Sequence, residues 1–173
     1  MLVLNPTLAR KVIQDGMARQ VFPLSEVAKL SAVSVETIRN LINRGNVRLR
    51  FTKPEGYGVK VKYAFHDVLE IMAASELLRI GIAPKGFGNI ADEISTYTIY
   101  QIQEAAGMWG SSPEPANYQR YVVIVYNEHT QEVQTAVTSD PAPEPLNTHI
   151  TRLVVDCRLL ANKALFAYAN YKE

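Results

Sequence analysis

Two short helical segments separated by a tight break at 31–33, an alternating basic hairpin directly after them, and strand-forming runs confined to the last third of the chain predict the fold class. It is a mainly α N-terminal winged helix-turn-helix domain followed by a small α+β C-terminal module. The expected divisions are a leading helix over 1–20, the winged unit over 21–91, a connector helix and linker over 92–118, and a β-rich module with a final helix over 119–173.

Residues 7–19 place Leu8, Val12 and Ile13 at helical spacing, with Arg10, Lys11, Gln14 and Asp15 turned away, so a helix ending near Gly16 is expected. Ser25 is expected to cap a helix over 26–30, whose Val27, Ala28 and Leu30 turn inward. Ser34 then caps a second helix, in which Val35, Ile38, Leu41 and Ile42 recur at three and four residues until Gly45 and Asn46 stop it. Over 47–65, Val47, Leu49 and Phe51 alternate with Arg48 and Arg50, and Val59, Val61 and Tyr63 alternate with Lys60 and Lys62. Pro54, Gly56 and Gly58 lie between these runs, which together predict a basic hairpin.

A third helix is expected over 66–81, with His66 and Asp67 at its start, Val68, Leu69, Met72, Leu77 and Leu78 apolar, and Gly81 as its stop. Asp92 and Glu93 are expected to open a fourth helix of about 15 residues that carries Ile94, Tyr97 and Ile102 on one side. Residues 107–119 are rich in Gly, Ser and Pro and read as a linker. Strands follow over 121–126, 132–138 and 149–155, with the first two forming a hairpin. Asp156 is placed to cap a last helix through Leu159, Leu160, Leu165, Phe166 and Tyr168.

Charge is segregated along the chain. Residues 1–90 carry 13 Lys or Arg against 7 Asp or Glu, a net of +6, while residues 91–173 carry 5 against 10, a net of −5. A basic half is drawn to a polyanion by charge attraction and counterion release, and an acidic half stays off it. The single cysteine, Cys157, excludes an intramolecular disulfide and a cysteine zinc site within one chain. The apolar run before Asn5 and Pro6 is too short for a signal peptide and no stretch is long enough to span a bilayer, so a soluble, cytoplasmic protein with no membrane partner is expected.

Catalytic signatures are missing. His66, His129 and His149 lie far apart, without metal-binding spacing. The glycines at 56, 58, 86 and 88 have no strand-to-helix context for a nucleotide, and Ser111, Ser112 and Cys157 have no base nearby in sequence. The expectation is a non-enzyme with no cofactor and no metal.

Several stretches carry a family likeness. Pro23-Leu24-Ser25-Glu26-Val27-Ala28-Lys29-Leu30, then Val33-Ser34-Val35-Glu36-Thr37-Ile38-Arg39, then Tyr63-Ala64-Phe65-His66-Asp67, and finally Leu78-Arg79-Ile80-Gly81-Ile82 follow one another in the order of a known head domain. Over residues 21–95 the chain resembles the DNA-binding head of the MerR-type transcription regulators. Asn40 and Leu41 stand where that family has two tyrosines, and Val61 stands where it has an arginine. The fourth helix is too short for the family's long coiled coil, and a β-rich module takes the place of its effector region. The resemblance therefore implies DNA binding more than it implies a metal or drug sensor.

On this reading the partner is double-stranded DNA. Ser34, Glu36, Thr37, Arg39, Asn40 and Arg44 belong to a recognition helix for the major groove. Arg39 suits a phosphate or a guanine, and the resemblance favours phosphate; Asn40 suits an adenine. Ser34 caps the helix and sets its N-terminus near a phosphate. Arg48, Arg50, Lys53, Lys60 and Lys62 suit the backbone or minor groove, with Tyr57 at the tip leaning on a sugar. The plain alternative for both elements is a solvated, solubilising face.

The expected function is a sequence-specific transcription regulator, working as a homodimer joined mainly through residues 92–173. The alternatives are a phage-type accessory protein for recombination, DNA architecture or packaging, which would also meet a transcription or phage protein partner, and an interaction module whose head no longer binds DNA.

Overall fold

A computed structural model describes residues 4–15, 17, 21–52, 60–79, 87–108, 120–127, 132–139 and 150–172. Among them the chain is mixed α+β, with six helices, a two-stranded sheet and a three-stranded sheet.

Helix α1 covers Pro6–Gln14 with Asp15 as its C-cap, close to the end expected near Gly16. Asn5 starts it: its Oδ1 accepts from the Thr7 amide at 3.0 Å and the Leu8 amide at 3.2 Å, and Pro6 occupies a first-turn position that needs no donor. Strand β1 (Phe22–Pro23) leads directly into α2 (Leu24–Ser31). The expected cap by Ser25 is not what the structure has. Extended Pro23 precedes the first helical residue, Leu24, and no side chain caps the start.

Helix α2 stops at Ala32, a left-handed residue (φ 55°) whose amide donates to the Ala28 carbonyl, and α3 (Val35–Asn43) begins after Ser34. That junction matches expectation closely. The Ser34 hydroxyl accepts from the Thr37 amide at 3.1 Å, while Ile38 and Leu41 turn into the core. The far end is closed by Gly45 at φ +68°: its amide donates to the Ile42 carbonyl at 3.0 Å, and the Asn46 amide donates to the Leu41 carbonyl at 2.9 Å. These two bonds satisfy carbonyls left over by the last turn, in the paired pattern that favours glycine.

The chain then departs from the sequence reading. Residues 47–51 form no strand: Leu49 takes a left-handed backbone (φ 46°) and a turn follows at 50–51. The alternation of Val47, Leu49 and Phe51 is real, but the amides of Arg48, Leu49 and Phe51 are taken by carboxylates of the next helix instead of a neighbouring strand. The second expected strand survives only as β2 (Lys62–Tyr63). It pairs antiparallel with β1, Phe22 opposite Tyr63 and Pro23 opposite Lys62. The expected hairpin tip, with Lys53 and Tyr57, lies outside the described residues.

Helix α4 (Phe65–Arg79) is the centre of the molecule. Phe65, Val68, Leu69, Ile71, Met72, Ala73, Ala74 and Leu77 are buried around most of its circumference, as expected for a helix covered on several sides. Helix α5 (Phe87–Ala105) packs along it. It begins five positions before Asp92, so Asp92 sits within the helix and does not open it.

The three-stranded sheet has β3 (Tyr121–Asn127) between β4 (Glu132–Thr138) and β5 (Ile150–Asp156), all antiparallel, with Ile124 opposite Thr135 on one side and Leu153 on the other. Val122 and Ile124 enter the core. Helix α6 (Cys157–Lys172) starts where the sequence places it. Asp156 Oδ1 accepts from the amides of Arg158 at 2.9 Å and Leu159 at 3.2 Å, and its carboxylate pairs with Arg120 at 2.7 Å. Burial opposes ionisation of Asp156, yet the Arg120 guanidinium and the two amides hold it below the usual carboxylate range.

The last helix does not stand apart. Arg158 reaches Gln101 at 3.0 Å and Glu104 at 3.2 Å on α5, and Lys163 reaches Glu76 on α4 at 3.1 Å. Tyr168 packs edge-on against Phe65 with ring centres 5.5 Å apart and against Phe22 at 6.3 Å, and Tyr171 adds a contact to Phe22 at 5.6 Å. Their hydroxyls bond to Asp15 and Glu26 respectively. Residues from both ends of the chain therefore share one hydrophobic core. The expected linker falls largely on 109–119, outside the described residues.

Gly45→Ala is expected to lower unfolding free energy by about 1 kcal/mol in denaturant titration. A Cβ there meets nothing within 4 Å, so the loss comes from the left-handed backbone alone.

Candidate nucleic-acid interface

Helix α3 buries Ile38 and Leu41 and leaves Glu36, Arg39, Asn40, Asn43 and Arg44 exposed. Of the expected contact residues, Thr37 is half-buried. Its hydroxyl lies 2.8 Å from that of exposed Ser34, so both serve the helix start. Arg39 is within electrostatic reach of Tyr63 on β2. Burial pushes the Tyr63 hydroxyl up, and the Arg39 charge acts against that rise. Lys60 and Lys62 are exposed beside and on β2. The exposed side of α3 and the lysines at 60 and 62 thus offer hydrogen-bond donors and positive charge to solvent.

Arg48 and Arg50 are placed differently from expectation. They are half-exposed, at 48% and 49% of their side-chain surface, and both turn toward α5. Arg50 forms an ion pair with Asp92 Oδ2. Arg48 lies 3.8 Å from the same oxygen through Nη1 and donates through Nη2 to Asn89. The sequence treats Asp92 as a helix opener and offers no signal for Asn89.

Beneath the arginines lie two further acids. Glu70 and Asp67 are fully buried on α4. Glu70 accepts from the Arg48 amide through Oε1 and from the Leu49 amide at 3.2 Å through Oε2. Asp67 accepts from the Thr52 hydroxyl, from the Phe51 amide at 3.3 Å and from the Ala64 amide at 3.4 Å. The expected meeting of Asp67 with amides at its helix start thus occurs at Ala64, while its other partners come from 51–52. His66, next to it, packs its ring against Phe51 with centres 4.5 Å apart. Burial lowers the His66 pKa, while the charges of Asp67 and Asp92 work against that shift.

Burial pushes Glu70 up to about 7, although the Arg48 and Leu49 amides favour its ionised form. Cys157, also buried, has its thiol pushed up to about 12 by burial, which leaves it without thiolate character. Among the described residues, no group of three or more His, Cys, Asp or Glu side chains is placed to hold a metal ion, and no helix is long and apolar enough to cross a membrane.

No protein-family model matches the chain, and no curated protein matches it either.

Glu70 makes a pH prediction with a definite sign. Its folded pKa lies above the ordinary value of 4.5, so its contribution is most favourable below about 4.5 and is lost as pH rises toward 7. A shift of this size corresponds to at most about 3 kcal/mol. Glu70→Gln removes the titration. The stability of the variant relative to wild type, followed by denaturant unfolding from pH 4 to pH 8, is expected to improve up to about pH 7 and level off above it. A difference that stays flat across the range overturns the assignment.

Proposed function

We propose that the protein is a sequence-specific double-stranded DNA-binding transcription regulator, with α2 and α3 as a helix-turn-helix and the segment 47–63 as its basic wing. The observation that carries this reading is α3 itself. A side-chain-capped helix buries one apolar stripe and leaves Glu36, Arg39, Asn40 and Arg44 in solvent, the arrangement a helix needs to enter a major groove. Its capped N-terminus, with its dipole, suits a backbone phosphate. Lys60 and Lys62 supply contacts that set register and salt dependence.

Arg39→Ala is expected to weaken duplex binding about tenfold or more, and Lys60→Ala with Lys62→Ala to reduce the slope of log affinity against log salt by about 2. Fluorescence anisotropy on duplexes selected from a random pool checks both. Affinity and slope that both stay at wild-type values rule the surface out.

An accessory role in recombination, DNA architecture or packaging is the second reading. It draws support from α5, which at 19 residues packs back on α4 and α6, so that no long helix projects among the described residues. Footprints over short promoter operators favour the regulator; arrays over an attachment or packaging site, with bending, favour the accessory role.

The proposed functional unit is a homodimer. Leu159 and Phe166 are exposed on α6 two helical turns apart, Phe166 at 66%. Antiparallel packing of two α6 helices seats each Leu159 against the other copy's Phe166, a self-complementary contact that a two-fold axis requires. Sedimentation at tens of micromolar is expected to show a dimer that Leu159→Glu with Phe166→Glu converts to monomer; a wild-type monomer removes the dimer.

A further inference from the structure

Resting on the DNA-binding reading above, we propose that Asp92 occupies on Arg48 and Arg50 the place of a DNA phosphate, so that a phosphate reaches these arginines only by displacing a carboxylate of the protein itself. One carboxylate oxygen, Asp92 Oδ2, faces both guanidiniums, and Asn89, one turn earlier on α5, takes the remaining donor described for Arg48. Carboxylate and phosphate oxygens compete for the same planar fork of guanidinium donors. The arginine side chains stay half-exposed, so a phosphate can approach them, whereas the Asp92 side chain is only 10% exposed and fixed within a helix.

The other acids nearby are already committed. Glu70 and Asp67 are taken up by backbone amides and the Thr52 hydroxyl, which leaves Asp92 as the described acid that pairs with these two side chains. His66 also lies within electrostatic reach of Asp92 and Arg50.

Stability alone does not account for the arrangement. Asp92 Oδ1 is buried without a hydrogen-bond partner, a cost that a well-packed apolar side chain at this position avoids. Pulling the arginines away leaves that carboxylate still less compensated, so displacement is uphill and DNA must supply the difference. Asp92 is in this sense a positioning residue. It sets how many of the wing's cations count toward binding, and through α5 it ties that number to the rest of the fold.

The test uses the full chain and salt-series titrations of duplex binding. Asp92→Asn keeps the side-chain shape and removes the charge. It is expected to tighten binding about tenfold and to steepen the salt slope by about 2, one phosphate for each freed arginine. Glu93→Gln removes one charge from the same helix without touching the arginines and is expected to stay within about twofold of wild type. The Asp92→Asn gain is expected to vanish when Arg48 and Arg50 are both alanine.

Asn89→Asp, at an exposed position, adds a second carboxylate beside Arg48 and is expected to weaken binding several-fold, an effect also absent without the arginines. If Asp92→Asn does not fold, the Asn89→Asp arm decides alone. The proposal is overturned if Asp92→Asn binds no tighter than Glu93→Gln, if its gain persists without the two arginines, or if Asn89→Asp leaves affinity unchanged. Tight wild-type binding with an unmoved Asp92→Asn slope defeats only the displacement idea; absence of salt-dependent binding in every variant defeats the DNA reading beneath it.

Discussion

The arrangement around α3 depends on two acids buried in an otherwise apolar helix. When the chain leaves the glycine turn at 45, it pairs with no strand among the described residues, so its amides need acceptors from elsewhere. Glu70 takes those of Arg48 and Leu49, and Asp67 takes that of Phe51 together with the Thr52 hydroxyl. Removing either acid leaves buried donors with the full cost of their lost hydration. The same clamp holds Leu49 in a left-handed conformation that costs a non-glycine residue roughly 1–2 kcal/mol. With the backbone so fixed, Arg48 and Arg50 are presented to α5.

What the sequence revealed, and what it hid, follows the range of the interactions. Ser34, Thr37, Ile38, Leu41 and Gly45 define α3 through contacts within a few residues, and each does what its spacing implies. Asp156 likewise caps α6 within its own turn. The stretch 47–51 has the alternation of a strand, and nothing local contradicts it. The competing acceptors come from 67 and 70, and they win because a buried carboxylate must be satisfied, whereas among the described residues no strand pairs with 47–51. A signal was present: Asp67 and Glu70, three apart among Val68, Leu69 and Ile71, put two acids on a helix face with no polar side to turn them toward. The role of Asp92 left a weaker trace, since an acid near a helix start reads as a dipole partner.

The expected division into head and tail rested on composition, whereas the described residues from both parts share one core. Tyr168 and Tyr171 look like ordinary members of an amphipathic last helix, yet their rings close the core around Phe22 and Phe65 and their hydroxyls meet Asp15 and Glu26 near the other end of the chain. Buried phenols require such partners, and here the partners lie beside the first two helices. The consequence is energetic. The small sheet does not have to supply a core of its own, because α6 is bound into the head through aromatic packing and through Arg158 and Lys163.

Helix α5 is where these observations meet. At one end Asn89 and Asp92 hold the two arginines; farther along, Ile94 and Ile102 are buried in the core; at the other end Gln101 and Glu104 hold Arg158 of α6. Beyond that end, Arg10 of α1 donates to the Ala106 carbonyl at 3.1 Å. Through α5, the ion pair at Arg48 and Arg50 and the polar contacts of α6 share one continuous helix.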